Sequence, residues 1–329
     1  MACSEAVSVY YLSSGRLGVP LLAVLAADPR VRLLGVGTQP DRPCGRHRQL
    51  QPTPVATQAA AMGLNAARVP SVNAEGFVAE MRGLSPELLV VAAFGQILKP
   101  ALLALPRFGC LNVHASLLPR QRGASPVSAS ILAGDRQTGI TFMQMDAGLD
   151  SGPIYRCLAT DIGPTETAEQ LEARLSHVAA TALVDCLWEV ARGGLTPLPQ
   201  PRDGVTYARR LRKEDGCIDW TRSATHLERQ VRAMIPWPGA YTLVPDPTGP
   251  RRLLVLAAAV AEAPSLLAAP PGTIVKAAHD ALVVACGEGS LRLLRVKPEG
   301  RSDMPAEAFL HGHKLPEGSQ LLSPSQGEG

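Results

Sequence analysis

The chain has 329 residues, of which 46% are hydrophobic and 19% are charged, and its formal net charge at pH 7 is +3. This length favours two domains over a single core, and the composition excludes collagen-like, coiled-coil and disordered chains. Because the net charge is small, it gives no general case for nucleic-acid binding, and any basic surface must be local. The seven cysteines form no Cys-x-x-Cys pair, which argues against a disulfide framework or a zinc knuckle.

The amino-terminal segment contains Glu5 and lacks a basic cluster, so we expect no signal peptide. The longest apolar runs, such as residues 253–261, are too short to cross a bilayer. We therefore predict a cytoplasmic protein that does not bind membranes. His311 and His313 have no third ligand nearby in the sequence, so we predict no metal site, and no feature indicates an obligate protein partner.

Strand-like and helix-like segments alternate in the first half of the chain. Residues 88–94 are apolar on both faces of the predicted strand, as a central strand of a parallel sheet must be. The alternation predicts an α/β fold of the Rossmann-like type, with an open, mostly parallel sheet and helices on both faces. The predicted strands are 6–12, 31–38, 88–94, 110–114 and 140–145, with an apolar segment at 19–27 and a helix-like one at 55–62.

Residues 165–194 carry the clearest helical pattern, and two glycines, Gly193 and Gly194, end it. The next stretch is rich in proline and poor in apolar residues, which indicates a linker. Beyond it, short strands are separated by Pro and Gly, as in a small OB-like β-barrel. The predicted organisation is a domain at 1–194, a linker at 195–206, a barrel domain at 207–318 and a disordered tail at 319–329. In the barrel domain the predicted helix is 225–234, and the predicted strands are 240–244, 252–258, 272–275, 281–286 and 290–296.

Three polar residues of the first domain form a set suited to chemistry. In an extended chain, residues two apart project to the same side, so Asn112 and His114 are expected to point into one space. Burying an amide and an imidazole there costs free energy unless both are hydrogen-bonded. Asp150 lies in a turn flanked by glycines, from which its carboxylate could reach the imidazole. An amide donor, a proton-transfer group and a carboxylate that orients it suggest acyl transfer.

Two segments carry a resemblance to a known family. The runs NVHASLLPRQRGASP and ILAGDRQTGITFMQMDAGLDSG resemble the signature of the folate-dependent formyltransferases. Residues 38–55, 205–220 and 231–242 resemble those members of the family that act on methionyl-tRNA. The resemblance implies a formyltransferase domain followed by a barrel that assists tRNA docking. It also implies transfer of a formyl group from 10-formyltetrahydrofolate to initiator methionyl-tRNA, for translation initiation.

The resemblance also implies roles for individual residues. Asn112, His114 and Asp150 are expected to be catalytic. The co-substrate is expected at the carboxyl end of the strand at 88–94, since ligands of open α/β sheets bind there, and at the loop after His114. The residues expected to bind it are Ala93, Phe94, Gly95, Gln96, Ser116, Leu117, Leu118 and Pro119. One difference from the family is the turn Ser13-Ser14-Gly15-Arg16, where the family has Gly-Thr-Pro.

A basic loop follows the second predicted strand. It holds three arginines and a histidine against one acid, Asp41, and its Pro and Gly content argues against a regular element. Arginines on such a loop can clamp RNA phosphates, although most charge runs are only solvated surface. Because this loop also carries the family resemblance, we predict that it binds tRNA. The residues concerned are Arg42, Arg46, His47 and Arg48.

Two other functions remain open at this point. One is formyl transfer to a different amine, such as a sugar nucleotide or glycinamide ribonucleotide, and the basic loop and the barrel count against it. The other is a catalytically silent RNA-binding protein, and the intact Asn112, His114 and Asp150 count against that. The Gly15–Gly18 pattern lacks the third glycine of a dinucleotide-binding fingerprint, so we predict no NAD.

Overall fold

The computed structural model describes residues 6–44, 49–246, 249–261, 269–278, 281–313 and 315–323. They form two compact units. The first unit falls within Met1–Val127, Arg136–Ile162 and Gln170–Arg209, and the second within Ser128–Asp135, Gly163–Glu169 and Arg210–Gly329. Two short segments before residue 194 are thus grouped with the second unit, and the domain boundaries inferred from the sequence stay a prediction.

The first unit is built on a long strand and helix alternation. Its strands are β1 (Val7–Ser13), β2 (Val31–Thr38), β3 (Arg42–Cys44), β4 (Gln49–Gln51), β5 (Ala66–Arg68), β6 (Leu88–Ala92), β7 (Cys110–His114), β8 (Arg122–Gly123), β9 (Gln137–Gln144), β10 (Ile154–Asp161) and β11 (Tyr207–Ala208). The helices over the same part of the chain are α1 (Gly18–Ala27), α2 (Pro54–Ala61), α3 (Glu75–Leu84), α4 (Pro100–Leu103), α5 (Pro126–Ala133) and α6 (Ala168–Ala191).

Seven of these strands form one sheet in the order β10-β9-β7-β6-β1-β2-β5. The pairs from β5 to β7 are parallel, whereas β9 and β10 are antiparallel to their neighbours. The prediction of a mostly parallel, Rossmann-like sheet is confirmed. Because the chain leaves β1 toward β2 on one side and later returns to β6 on the other, the strand order reverses between β1 and β6. Ligands of open α/β sheets bind at such a reversal, outside the carboxyl ends of the strands.

The centre of the sheet is buried because its strands are apolar on both faces. All residues of β1 and β6 are buried. Tyr10 packs edge-on against Phe77 of α3, with 5.9 Å between the ring centroids. Gly35 on the neighbouring strand makes room for the tyrosine, because a Cβ there would lie 2.7 Å from the Tyr10 ring. The small residue is therefore required by the packing of the large one.

Two segments expected to be irregular are more ordered than the sequence indicated. The basic loop contains an antiparallel hairpin of β3 and β4, with Arg42 opposite Gln51. Pro43 is tolerated in it because a two-stranded ribbon consists only of edge strands, where a missing N–H costs little. The predicted linker 195–206 is also anchored to the first unit, since Leu198 pairs with Ile154 and β11, directly after the linker, pairs with β8.

The second unit contains an antiparallel sheet in the order β12-β13-β16-β15-β14, with β17 paired to β16. The sequence predicted a small OB-like β-barrel here, and the structure confirms the coarser part of that prediction, a carboxyl-terminal antiparallel β-domain. Its strands are β12 (Ala240–Val244), β13 (Arg251–Val260), β14 (Ile274–Ala278), β15 (Ala281–Ala285), β16 (Ser290–Pro298) and β17 (Met304–Pro305), and its helices are α7 (Ala224–Ala233) and α8 (Ala306–Gly312), with a 3₁₀ turn at Lys213–Gly216.

The last described residues join the two end strands of this sheet. Leu322 exchanges backbone hydrogen bonds of 2.9 and 3.0 Å with Leu243 of β12, and Ile274 of β14 donates to the Ser319 carbonyl at 2.8 Å. The prediction of disorder from residue 319 is therefore wrong for residues 319–323, and 324–329 lie outside the described residues. The sequence did not indicate this order, because two leucines, Leu321 and Leu322, are too few to show a periodic pattern. Leu321 is nevertheless buried. Within the described part of the chain, no helix is long and apolar enough to cross a bilayer.

Candidate active site

Asn112 and His114 lie on the same face of β7, one strand away from the reversal of strand order. β7 is buried along its whole length, and it is held between β6 and β9. Only 8% of Asn112 and 5% of His114 are exposed. Side chains this buried must find partners inside the protein, because an unpaired amide or imidazole would lose its hydrogen bonds to water.

Asp150 supplies the partner expected for both side chains. Its carboxylate Oδ1 accepts a 3.4 Å hydrogen bond from Asn112 Nδ2, and its Oδ2 lies 3.7 Å from His114 Nδ1. A shorter bond of 2.7 Å runs to Oδ2 from the Gly123 N–H. The structure thus brings the three predicted catalytic side chains together around one carboxylate.

The turn that carries Asp150 is held in an unfavourable backbone conformation. Asp150 has a φ of +47°, a left-handed value that costs a residue with a Cβ about 1–2 kcal/mol. Asp146 closes the preceding part of the turn, because its carboxylate accepts from the Gly148 N–H at 3.0 Å and from the Ser151 hydroxyl. Strain of this kind persists where surrounding bonds outweigh it, and it is frequent at functional sites.

The backbone carbonyl of Gln121 determines which nitrogen of His114 carries a proton. His114 Nε2 lies 3.0 Å from the Gln121 oxygen, and a carbonyl can only accept a hydrogen bond. Nε2 must therefore be protonated, and Nδ1, which faces Asp150, is the nitrogen that can gain or lose a proton. Gln121 has a φ of +58°, and its N–H donates to Thr206 Oγ1 at 2.8 Å.

Gly123 is a site residue that the sequence did not reveal. Its φ of +119° favours glycine, and a Cβ there would lie 2.5 Å from the Ala208 carbonyl oxygen. Its N–H makes the shortest contact to Asp150 that we observe. The RGASP run around it belongs to the family resemblance, and nothing in its spacing distinguishes Gly123 from other turn glycines.

The four predicted co-substrate residues after His114 divide into two pairs. Ser116 and Leu118 are buried, and the Ser116 hydroxyl is committed to the Arg120 carbonyl at 2.7 Å. Leu117 and Pro119 are half-buried. The loop is held from below by Thr141, whose hydroxyl donates to the Ser116 carbonyl and accepts from the Leu118 N–H. Leu117 and Pro119 are therefore the two side chains of this group with a surface open to solvent.

The residues after β6 also divide by exposure. Ala93 and Gly95 are exposed, whereas Phe94 packs into the core cluster beneath the sheet. The Gln96 side chain is bound to the segment after β5, through Val72 N at 2.9 Å and the Val69 carbonyl at 3.0 Å. A flat ligand at this edge would meet the backbone and the small side chains, not Phe94 or Gln96.

Arg42 is the one predicted tRNA-binding residue that the structure describes, since Arg46, His47 and Arg48 lie outside the described residues. Arg42 is exposed, and its guanidinium donates to Gln39 Oε1. Gln39 in turn donates from Nε2 to the Phe94 carbonyl at 2.6 Å and from its N–H to Ser14 Oγ at 3.0 Å. The base of the hairpin is thus tied to the carboxyl ends of β1 and β6, and Ser14 of the altered turn takes part.

Comparison with known proteins identifies the family. The sequence model described as "Formyl transferase" matches residues 21–187, and "Formyl transferase, C-terminal domain" matches 210–314. A protein named methionyl-tRNA formyltransferase from Gluconobacter oxydans is 44% identical over 317 residues, which cover 95% of this chain and 99% of that protein. One of the same name from Halorhodospira halophila is also 44% identical, over 96% of this chain and 99% of the relative.

Solved structures share the fold at low sequence identity. WlaRD, a sugar 3N-formyltransferase solved with dTDP and 5-N-formyl-THF, has a TM-score of 0.62 at 12% identity, with 91% of this chain and 100% of that chain covered. HypX from Aquifex aeolicus in complex with tetrahydrofolic acid has a TM-score of 0.58 at 15% identity, and the match covers 92% of this chain and 46% of HypX. The match to both family models and the identity of nearly half over almost the full length show that the chain belongs to the methionyl-tRNA formyltransferase family.

Proposed function

We propose that this protein transfers the formyl group of 10-formyltetrahydrofolate to the α-amino group of initiator methionyl-tRNA. The observation that carries the proposal is the full-length similarity to methionyl-tRNA formyltransferases at 44% identity, in a chain whose Asn112, His114 and Asp150 meet at the carboxyl edge of the sheet. We further propose a cytoplasmic location, since the product would serve translation initiation there.

The reaction forms one bond and breaks another. The amine nitrogen bonds to the formyl carbon, the bond from that carbon to the folate nitrogen breaks, and one proton passes from the amine to the folate nitrogen. An α-amino group titrates at about 7.7–8.0, so a useful neutral fraction is present near pH 7. The protein's part is to stabilise the negative charge that develops on the formyl oxygen and to move the proton.

We assign these tasks to the three side chains around Asp150. The Asn112 amide, with one N–H toward Asp150, has a second N–H for the developing oxyanion. His114 donates from Nδ1, because Nε2 is bound to the Gln121 carbonyl. The Asp150 carboxylate, 3.7 Å from Nδ1, orients the imidazole, accepts the proton that leaves the amine and passes it on to the folate nitrogen.

We propose that the co-substrate binds along the backbone at Ala93 and Gly95 and against Leu117 and Pro119. These positions combine small exposed residues with half-buried apolar ones, which suits a flat heterocycle that needs a narrow slot and backbone hydrogen bonds. Phe94 and Gln96 would support this slot from behind, and Ser116 and Leu118 would support the facing loop. Of two proteins with the same fold, one was solved in complex with tetrahydrofolic acid and the other in the presence of 5-N-formyl-THF.

We propose that the hairpin of β3 and β4 clamps the acceptor RNA through Arg42, Arg46, His47 and Arg48. The support is local: an exposed Arg42 at the base of a basic hairpin, and a chain of bonds from there through Gln39 to the carboxyl end of β6. Residues 207–318 would assist docking of the tRNA. Arginines are suited to this task because the guanidinium pairs with phosphate through two parallel hydrogen bonds.

The test is transfer of labelled formyl from 10-formyltetrahydrofolate, with initiator methionyl-tRNA, elongator methionyl-tRNA and an amino sugar nucleotide in competition. We expect the initiator tRNA alone to be labelled rapidly. Labelling of the sugar nucleotide and of neither tRNA would overturn the proposed acceptor and favour the sugar-type activity of WlaRD.

The same assay tests the assigned residues. His114→Ala and Asp150→Ala are expected to lower turnover by at least about 100-fold, the cost of losing a preorganised donor at His114 or a proton-transfer group at Asp150, with little change in thermal unfolding. If either variant keeps near-normal turnover, the assignment of the oxyanion and the proton to these groups is wrong.

A further inference from the structure

The segment after α6 reaches the catalytic turn directly. Leu198 exchanges two backbone hydrogen bonds with Ile154, of 2.7 and 2.8 Å. A few residues later β11 pairs with β8, and Arg122 donates from its N–H to the Thr206 carbonyl at 2.9 Å. Gln200 lies between these two anchors, so its backbone is fixed on both sides.

The Gln200 side chain makes four hydrogen bonds in this position. Its Nε2 donates to the Asp150 carbonyl and to the Gly152 carbonyl, both at 2.8 Å. Its Oε1 accepts from Arg122 Nε at 3.1 Å and from Arg122 Nη2 at 2.7 Å. A flipped amide would place its NH₂ against a guanidinium and its oxygen against two carbonyls, so this orientation is the one in which every contact joins a donor to an acceptor.

Arg122 faces a cavity on the solvent side of Gln200. Arg122 and Gln200 line a cavity of about 460 Å³, and no Asp or Glu is among the described residues that line it. The guanidinium is therefore available to hold Gln200 with two of its nitrogens, in the fork geometry that arginine supplies.

The two carbonyls held by Gln200 belong to the strained catalytic turn. Asp150 keeps a φ of +47°, and without its anchors the backbone would relax toward a more populated region. Such a relaxation would move the carboxylate away from the Gly123 N–H, now at 2.7 Å, and from His114. A displacement of about 1 Å at a catalytic group can cost on the order of 100-fold in rate.

We propose that Gln200 is a positioning residue for this site: oriented by Arg122, its amide holds the backbone on both sides of Ser151 so that the Asp150 carboxylate stays aimed at Asn112 and His114. Gln200 does not touch the reacting atoms. It acts through the geometry of the turn, and the part of the inference that concerns turnover rests on the proposed function.

The variant Gln200→Ala tests this inference. We expect kcat for formyl transfer to fall about 100-fold. KM for the formyl donor and for the amine acceptor should stay within about twofold of wild type, because the interactions that bind both substrates before the reaction are unchanged. Gln200→Glu keeps the size but removes both donors, and it should be as impaired as Gln200→Ala. Arg122→Lys retains the charge and loses the fork, so a partial loss is expected.

Gln137→Ala is the matched control. Gln137 on β9 also donates from Nε2, to Asp161 Oδ1 at 2.9 Å, but it lies at an exposed position away from Asp150. We expect this variant to keep the kcat of the wild type. If Gln200→Ala also keeps it, or if the variant loses only thermal stability, the positioning role is overturned.

Hydrogen exchange of the Gly123 amide provides a readout that does not depend on the reaction. Loss of the bond to Asp150 should speed its exchange about tenfold in Gln200→Ala, because a hydrogen bond to a charged group is worth at least about 1.5 kcal/mol, and leave it unchanged in Gln137→Ala. Unchanged exchange in both variants overturns the inference whatever the substrate. A wild type without formyl transfer, together with faster exchange in Gln200→Ala, would instead reject the proposed function and keep the structural role of Gln200.

Discussion

Thr141 shows how a single buried hydroxyl positions a functional loop. It lies on β9 opposite His114 and is fully buried. Its Oγ1 donates to the Ser116 carbonyl at 2.6 Å and accepts from the Leu118 N–H at 3.2 Å. The loop proposed to bind the co-substrate is therefore attached to the sheet through one side chain.

Thr141→Val is expected to weaken both stability and donor binding. Valine has nearly the same shape, but it leaves a buried carbonyl and a buried N–H without a partner, and the cost should be about 2–4 kcal/mol. KM for the formyl donor should rise about tenfold as the loop loosens. Urea unfolding and initial-rate kinetics measure the two effects.

Thr57→Val serves as the comparison, since Thr57 is exposed on α2 and its hydroxyl donates to the Thr53 carbonyl at 3.3 Å, one turn earlier. Equal unfolding free energies for the Thr141 and Thr57 variants would show that the buried hydroxyl is not what holds the loop.

At this scale the sequence predicted the members of the site that strand periodicity can place. Asn112 and His114 share a face because they are two residues apart in a strand. The glycines that flank Asp150, 38 residues beyond Asn112, indicated a turn that could bring its carboxylate to the imidazole, but no pattern indicated the left-handed conformation of that turn. Gln200 had no signal at all, because it lies in a proline-rich stretch whose composition indicated only a linker.

The elements show the same division between patterned and unpatterned structure. The sequence predicts β6 because it is a short apolar run, and it predicts β7 because apolar residues flank Asn112; both strands are buried throughout. β10 was missed because it forms one edge of the sheet and alternates between half-buried and exposed residues. β3 and β4 are exposed along their length, so hydrophobic periodicity could not reveal the hairpin.

The hairpin of β3 and β4 is the element that should contribute most to the salt dependence of tRNA affinity. If Arg42, Arg46 and Arg48 each neutralise one phosphate, the Arg42/Arg46/Arg48→Ala variant should reduce the slope of log K against log salt by about 2–3. Filter binding of initiator tRNA between low and moderate salt measures this slope.

A second variant with the same change of net charge distinguishes direct contact between the hairpin and the phosphates from general electrostatic attraction. Arg32 on β2, Arg82 on α3 and Arg107 in a turn are exposed and lie in the first unit. Replacing all three with alanine should shift the slope much less than the hairpin variant does. Equal slopes for the two variants would mean that the hairpin is only a solvated surface and does not bind the tRNA.

On the scale of the whole molecule, each compact unit has its own buried thiols. Burial raises the pKa of Cys110 and of Cys186 to about 12 in the first unit, and that of Cys286 to about 11 in the second. An ordinary cysteine titrates at about 8.5. These three thiols therefore stay protonated at pH 8, and they become reactive when the core around them opens.

Thiol labelling at pH 8 can therefore report the unfolding of each unit. Without urea, we expect the exposed Cys44 and Cys157 to react and the three buried thiols to be protected. As urea rises, Cys110 and Cys186 should lose protection together, because they lie in the same compact unit, whereas Cys286 should lose it at a different midpoint. Peptide mapping by mass spectrometry follows each thiol separately. A single midpoint for all three would mean that the two units unfold as one cooperative structure, against the two-domain organisation that we infer from the sequence.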